Sequence, residues 1–162
     1  MTDRSMARAL APLGRRLQNF FARGTVALSN PSKLMQTLQV KLLAGETLSG
    51  LEHFEAYGLT SRPMPGAEVA ALFIDGDRSH GIVLVVADRR YRIKGLEEGE
   101  VALYDDQGQS IAIKRDGIVI DCAGKPLAII NCPSFTHDGV NVGGSHRHGG
   151  VQPGPGNTST PS

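Results

Sequence analysis

The sequence contains no tryptophan, and aromatic residues make up only 5% of its 162 positions. The bulky side chains that dominate a single deep core are therefore scarce. Its two cysteines, Cys122 and Cys132, are too few for a disulfide framework or a four-ligand zinc site. Both lie in apolar surroundings (IVIDCAG and AIINCPS), which predicts buried thiols. No apolar run is long enough to span a membrane, and no uninterrupted hydrophobic stretch reads as a secretion signal, so a chain soluble when made is expected. The net charge of +1 argues against a general binder of nucleic acid or acidic membrane. Glutamate disappears after Glu100.

What is present divides the chain in three. Residues 1–24 are locally basic, with Arg4, Arg8, Arg15, Arg16 and Arg23 against Asp3. Leu10, Leu13, Leu17, Phe20 and Phe21 recur at helical spacing, which predicts a short amphipathic helix interrupted or started by Pro12. The scarcity of acids resembles an organelle transit peptide, but nothing marks a cleavage site, and a helix docking on a partner or on its own domain is the preferred reading.

Residues 25–95 read as five strands separated by Gly, Pro and Asp-Gly: TVALSN, LMQTLQVKLLAGETL, GLEHFEAYG, AEVAALFIDGD and HGIVLVVADRRYRI. So many strands without room for crossover helices fit a small closed barrel of the OB type. The run LEEG, Leu96–Gly99, reads as a joint.

From residue 96 to 162 the strands become very short: EVALY, SIAIK and IVIDC, each followed by a turn, then LAIIN, a loop and GVNVGG. Ile118, Ile120 and Cys122 fall on one face and Asp121 on the other. Each strand is too small to bury its own face, so the ladder needs copies of itself. Stacking copies around an axis buries those faces and pairs edges that otherwise invite aggregation. A homotrimeric β-prism or β-helix is the economical solution, which makes the whole protein all-β apart from the short N-terminal helix.

The last segment, GGSHRHGGVQPGPGNTSTPS, carries His146 and His148 one residue apart. In an extended chain both imidazoles project to the same side. Two nitrogens alone make a poor metal site, but on a threefold axis three chains supply six, which suits an octahedral first-row ion. Iron(II) is the preferred ion, one per trimer, because an all-imidazole six-coordinate shell is unusual for zinc. The flanking glycines would let three backbones converge, having no Cβ to obstruct them. A solvated tail is the bland alternative. A cupin-like enzyme site would add a Glu soon after the pair and another His later, and neither follows His148.

Other motifs carry less. ALFIDGDRSHG superficially matches the nucleophile strand of haloacid-dehalogenase-type phosphatases, yet the next strand begins too soon for a parallel crossover, so Asp75-Gly76 is read as a turn. A calcium loop fails because Val86 occupies the position of its final Glu. His53 and His80 have no neighbours at a catalytic spacing and are taken as structural or exposed. Arg89, Arg90 and Arg92 could bind phosphate or single-stranded nucleic acid, but Tyr91 is the sole aromatic among them, which favours an ion-pair face. His137 and Asp138 in FTHDGVN leave a secondary ion site open.

The stretches SHGIVLVVADRRYRIKGLEEGEVALYDDQGQSIAIKRDG and HDGVNVGGSHRHGGVQPGPGNTSTP together resemble the Mu-type baseplate assembly and central spike proteins of contractile-tailed phages and related prophages. The resemblance runs from about Val26 to the C-terminus, and H-x-H-GGVQPG is its most specific part. It implies an N-terminal OB-type domain docking on the tail hub, then an intertwined, triple-stranded β-helix narrowing to an apex over 137–162. It also implies iron at the tip held by His146 and His148 of each chain, with calcium and chloride as further ions nearby. The expected protein is a non-enzymatic spike, made in the bacterial host cytoplasm and placed at the virion tail tip. It would cap the hub and pierce the host outer membrane on sheath contraction, with no nucleic-acid partner. Two rival readings are a metal-dependent small-molecule enzyme using the H-x-H pair and an OB-type single-stranded nucleic-acid binder.

Overall fold

The computed structural model describes Ala11 and residues 19–144; Ala11 and Asn19 are helical, and every element from Phe21 onward is a strand or a three-residue 3-10 turn. Strands β1 (Phe21–Asn30), β2 (Thr37–Leu42), β3 (Thr47–His53), β4 (Glu68–Phe73) and β5 (Gly81–Ala87) close into a barrel in the order β1-β2-β3-β5-β4. Five strands in that circular order match an OB-like barrel. β1 starts at Phe21, inside the segment expected to be helical, because Phe21 and Ala22 already pair with Leu72 and Ala71. The expected second strand is split after Leu42 by a turn over Leu43–Gly45, and the fifth ends at Ala87, before its expected DRRYRI tail.

Alternation explains the core. β2 and β4 bury every second residue, so Leu38, Val40, Leu42, Val69, Ala71 and Phe73 face inward with Val26, Leu51, Ala67 and Val83. Small residues let the barrel stay narrow: a Cβ on Gly81 would meet ring carbons of Phe73 at 2.5 and 2.7 Å and Leu51 Cδ2 at 2.8 Å. The seams are unequal. β1 pairs with β4 from Phe21↔Leu72 to Thr25↔Glu68, whereas the parallel β3–β5 contact holds only Glu52↔Ile82 and His53↔Val83.

The segment between β3 and β4 has no strand and is tied down by Glu55, whose carboxylate accepts from Ser61 N at 2.6 Å and Thr60 Oγ1 at 2.9 Å. At the other end of β4, Asp75 (φ 54°) and Gly76 (φ 71°) form the expected tight turn, which needs left-handed backbone that Asp and Gly tolerate.

Beyond the barrel, β6 (Val101–Tyr104), β7 (Ser110–Ile113) and β8 (Ile118–Asp121) form a three-stranded antiparallel meander. A two-residue hairpin follows, β9 (Thr136–His137) and β10 (Val140–Asn141). The expected strand LAIIN is not a strand within one chain, and none of the described residues after 100 is buried.

Candidate functional site: an uncovered aliphatic sheet

The register of the meander assembles its apolar residues into two cross-strand rows. Val101 lies opposite Ile113, which lies opposite Ile118; Leu103 lies opposite Ile111, which lies opposite Ile120. Directly paired residues project to the same side, so these six form one continuous aliphatic face. The reverse face carries Ala102, Ala112 and Val119 in one row and Tyr104, Ser110 and Asp121 in the other. All six aliphatics are exposed in the single chain, and Leu127, Ile129 and Ile130 extend the exposed apolar surface beyond β8. A patch of this kind marks an interaction surface.

The turns that set this register are polar and specific. Asp105 Oδ1 accepts from the backbone N–H groups of Gln107 (2.9 Å) and Gln109 (2.8 Å), closing the β6–β7 turn. After β8, Asp121 Oδ1 accepts from Ala123 N at 2.8 Å, and Ala123 (φ 50°) with Gly124 (φ 76°) turns the chain sharply. The meander is also pinned to the preceding joint. Glu100 accepts from the N–H of Glu97 at 3.0 Å and of Arg115 at 3.1 Å, and these bonds hold its carboxyl below the usual range.

The β9–β10 hairpin turns at Asp138 (φ 48°) and Gly139 (φ 79°). Beyond it, Val142 N donates to Phe135 O at 2.7 Å and Gly143 N to Asn141 Oδ1 at 2.9 Å. His137 Nδ1 lies 3.7 Å from Asp138 Oδ2, both exposed. His146 and His148 lie outside the described residues. Among the described residues, no cluster of three His, Cys, Asp or Glu side chains could hold a metal.

The remaining candidates are placed as follows. Arg89 Nη2 donates to Glu68 Oε2 at 2.7 Å, and its Nε also bonds that carboxylate; Arg23 Nη2 reaches the same oxygen at 3.1 Å. Arg90 is held by Asp88 (Nε to Oδ1, 2.8 Å) and by the Pro65 carbonyl (3.0 Å). The arginines hold Glu68 and Asp88 below the usual carboxylate range, the hydrogen bonds from Arg89 and Arg90 contributing most. Two of the three arginines singled out by the sequence therefore serve ion pairs on the barrel itself.

His80 is exposed, its Nδ1 3.3 Å from Asp77 Oδ2, but the Ser79 hydroxyl donates to Asp77 Oδ1 at 2.8 Å. That arrangement caps a turn and does not align a nucleophile with a base. His53 is 5% exposed; its Nδ1 accepts from Gln36 Nε2 at 3.3 Å, while the same amide donates to Ser61 O at 2.7 Å. No local pattern names Gln36 as its partner, since the two meet only through the β2–β3 pairing. The cysteines depart from expectation: Cys132 is exposed and Cys122 half-buried, because this half of one chain encloses nothing.

The comparisons with known proteins coincide with this geometry. A family described as "Bacteriophage Mu Gp45, N-terminal" matches residues 23–90, which spans the barrel strands from Arg23 to Ala87. The "Baseplate puncturing device gp45" of Escherichia phage Mu is 38% identical over 139 residues, covering 85% of this chain and 70% of that protein. The chain belongs to the Mu gp45 family. A second relative, the "Mu-like prophage FluMu protein gp45" of Haemophilus influenzae, is 33% identical over 129 residues, covering 80% of this chain and 65% of its own length. Membership makes the chain a Mu-type baseplate spike protein, so the aliphatic sheet belongs to a structural component of a phage tail.

Proposed function

We propose that this gp45-family chain is the homotrimeric central spike of a contractile tail or a prophage-derived particle. It caps the tail hub through its barrel and is driven through the host outer membrane when the sheath contracts. The single observation that carries the trimer is the aliphatic face of Val101, Leu103, Ile111, Ile113, Ile118 and Ile120, which is in perfect register yet uncovered. Three such faces meeting around an axis would make the dry interior of an intertwined β-helix, which one chain lacks. The work is mechanical and needs no catalytic group.

At the tip, His146 and His148 of three chains would hold one iron(II) ion. The fit rests on donor chemistry: imidazole nitrogens suit iron, and the described backbone shortly before them, at Val142 and Gly143, is hydrogen-bonded in place. An ion bound only by the assembled form adds its binding free energy to the trimer and ties together ends with little apolar surface. Calcium and chloride near the tip remain part of the same reading. Native mass spectrometry of untagged protein purified without chelator tests it. Three chains with one iron-mass ion would support the reading. A monomer carrying one metal would overturn it, and a metal-free trimer would remove the iron site while leaving the shaft.

A further inference from the structure

Among the described residues two polar side chains are buried, Gln36 and His53, and they lie against each other. Their backbones are fixed: His53 N donates to Gln36 O at 2.8 Å and Phe54 N to Val83 O at 2.9 Å. The Gln36 amide donates through Nε2 to His53 Nδ1 at 3.3 Å and to Ser61 O at 2.7 Å, which places the neutral ring's proton on its own Nε2. The opposite amide orientation would set Gln36 Oε1 against the Ser61 carbonyl. As it stands, Oε1 is buried without a hydrogen-bond partner among the described residues.

Ser61 belongs to the strandless segment 54–67, which is tied here twice, through Ser61 O to Gln36 and through Ser61 N to Glu55 Oε1 at 2.6 Å. That same Oε1 lies 4.0 Å from His53 Nδ1. The other charged groups around the pair are Lys33 and Arg62, which share a surface pocket with Gln36 and Glu55, and Glu52, exposed on the opposite face of β3. β5 pairs Val83 with His53, and β6 brings Tyr104 to the cleft that His53 lines. Phe54 and Leu59 of the segment line that cleft too, with Leu84, Val85 and Leu103, so segment 54–67 borders the meander.

We propose that Gln36, His53 and Ser61 form an acid-sensitive tether: a proton on His53 Nδ1 reverses the polarity of its bond to Gln36 and releases segment 54–67 from the barrel. Once Nδ1 carries a proton, two donors face each other, and the backbone bonds prevent the residues from moving apart. Turning the Gln36 amide over relieves this, because Oε1 then accepts from the ring. It also takes the donor away from Ser61 O. The imidazolium further draws on the Glu55 carboxylate, the second tie to Ser61. Burial already disfavours the charged ring, with Glu55 opposing in part. The released segment thus binds a proton that the tethered one excludes, and its population rises by up to about tenfold per pH unit below about 6.5. Acid therefore loosens the part of the barrel that borders β6.

Hydrogen–deuterium exchange of the full chain, read by mass spectrometry and corrected for the intrinsic effect of pH, tests the tether. Between pH 7.5 and 5.5, peptides within 54–67 should exchange at least about fivefold faster while those of β1 and β4 stay protected. His53→Asn, whose Oδ1 accepts at every pH, should abolish the acceleration and keep the segment protected. Gln36→Met, close in size but unable to donate, should release the segment already at pH 7.5. Acceleration that persists in His53→Asn, or an equal loss of protection in β1 and β4, would overturn the proposal. So would a segment that stays protected at pH 7.5 in Gln36→Met.

Discussion

Val101 lies directly opposite Ile113 in the β6–β7 ladder, and the two are 59% and 53% exposed. A cross-strand aliphatic pair in good register that shields neither member from water is a half-made core. It is completed by other chains or it is a liability.

Leu103→Asp and Ile111→Asp, on neighbouring strands of this face, should therefore disrupt assembly without unfolding the barrel. Losing one buried aliphatic side chain forfeits about 1.5–3 kcal/mol, before the cost of burying a carboxylate. That corresponds to an association constant weakened by at least about tenfold per site. Sedimentation velocity should show monomers with unchanged strand signal by circular dichroism. A trimer of unaltered stability would remove the face from the assembly.

His146→Ala combined with His148→Ala should abolish bound iron while leaving the chain count at three. Elemental analysis alongside native mass spectrometry reads both quantities, and full retention of metal in the double variant would locate the site elsewhere.

Gly81→Ala probes how tightly the barrel is closed. The added methyl points at Phe73, which is wholly buried, and at Leu51. Overpacking of this kind costs about 1–3 kcal/mol. The urea midpoint should fall accordingly, and an unchanged midpoint would mean that the interior has slack at that point.

Burial pushes the pKa of His53 below its ordinary value, opposed in part by the Glu55 carboxylate 4.0 Å away. The folded state thus favours neutral imidazole. The stability linked to this group is fully present above the unfolded pKa of about 6.5 and is lost as pH falls below it, because the unfolded chain then binds the extra proton. Urea midpoints should drop between pH 7.5 and 5.5, and His53→Gln should flatten that drop. An equal slope in both proteins would assign the pH dependence to other groups. Glu55 titrates in a separate window: hydrogen bonds from Ser61 and Thr60 outweigh desolvation and hold its pKa down, so its contribution persists until pH falls below about 4.5.

The barrel was legible because alternation in TLQVKL and EVAALF is strong enough to fix which side chains face inward, and Asp75-Gly76 announces its turn. The short strands of the second half were legible as well, since turn residues such as Asp105, Gly108 and Gly117 punctuate them. LAIIN misled because an apolar run pairs only where a partner edge is available, and among the described residues Leu127–Asn131 pairs with none. The same absence explains why Cys132 is exposed and not buried. Gln36 beneath His53 was invisible for a different reason: residues 17 apart meet through strand register, which no local pattern encodes. The ion-pair face favoured for Arg89 was legible from composition, whereas its partner Glu68 is set by β4, which no local pattern names.

The inequality of the barrel's seams gives it a mechanical polarity. β1, β2 and β3 form one leaf and β4 and β5 the other, each internally zipped by antiparallel ladders. The leaves are joined along one side by the five pairs of β1 with β4 and along the other by the two pairs of β3 with β5. The barrel is therefore a clasp, with its hinge at Phe21–Thr25 and its latch at His53 and Val83. A push along the spike that strains this domain would spring the latch long before the hinge.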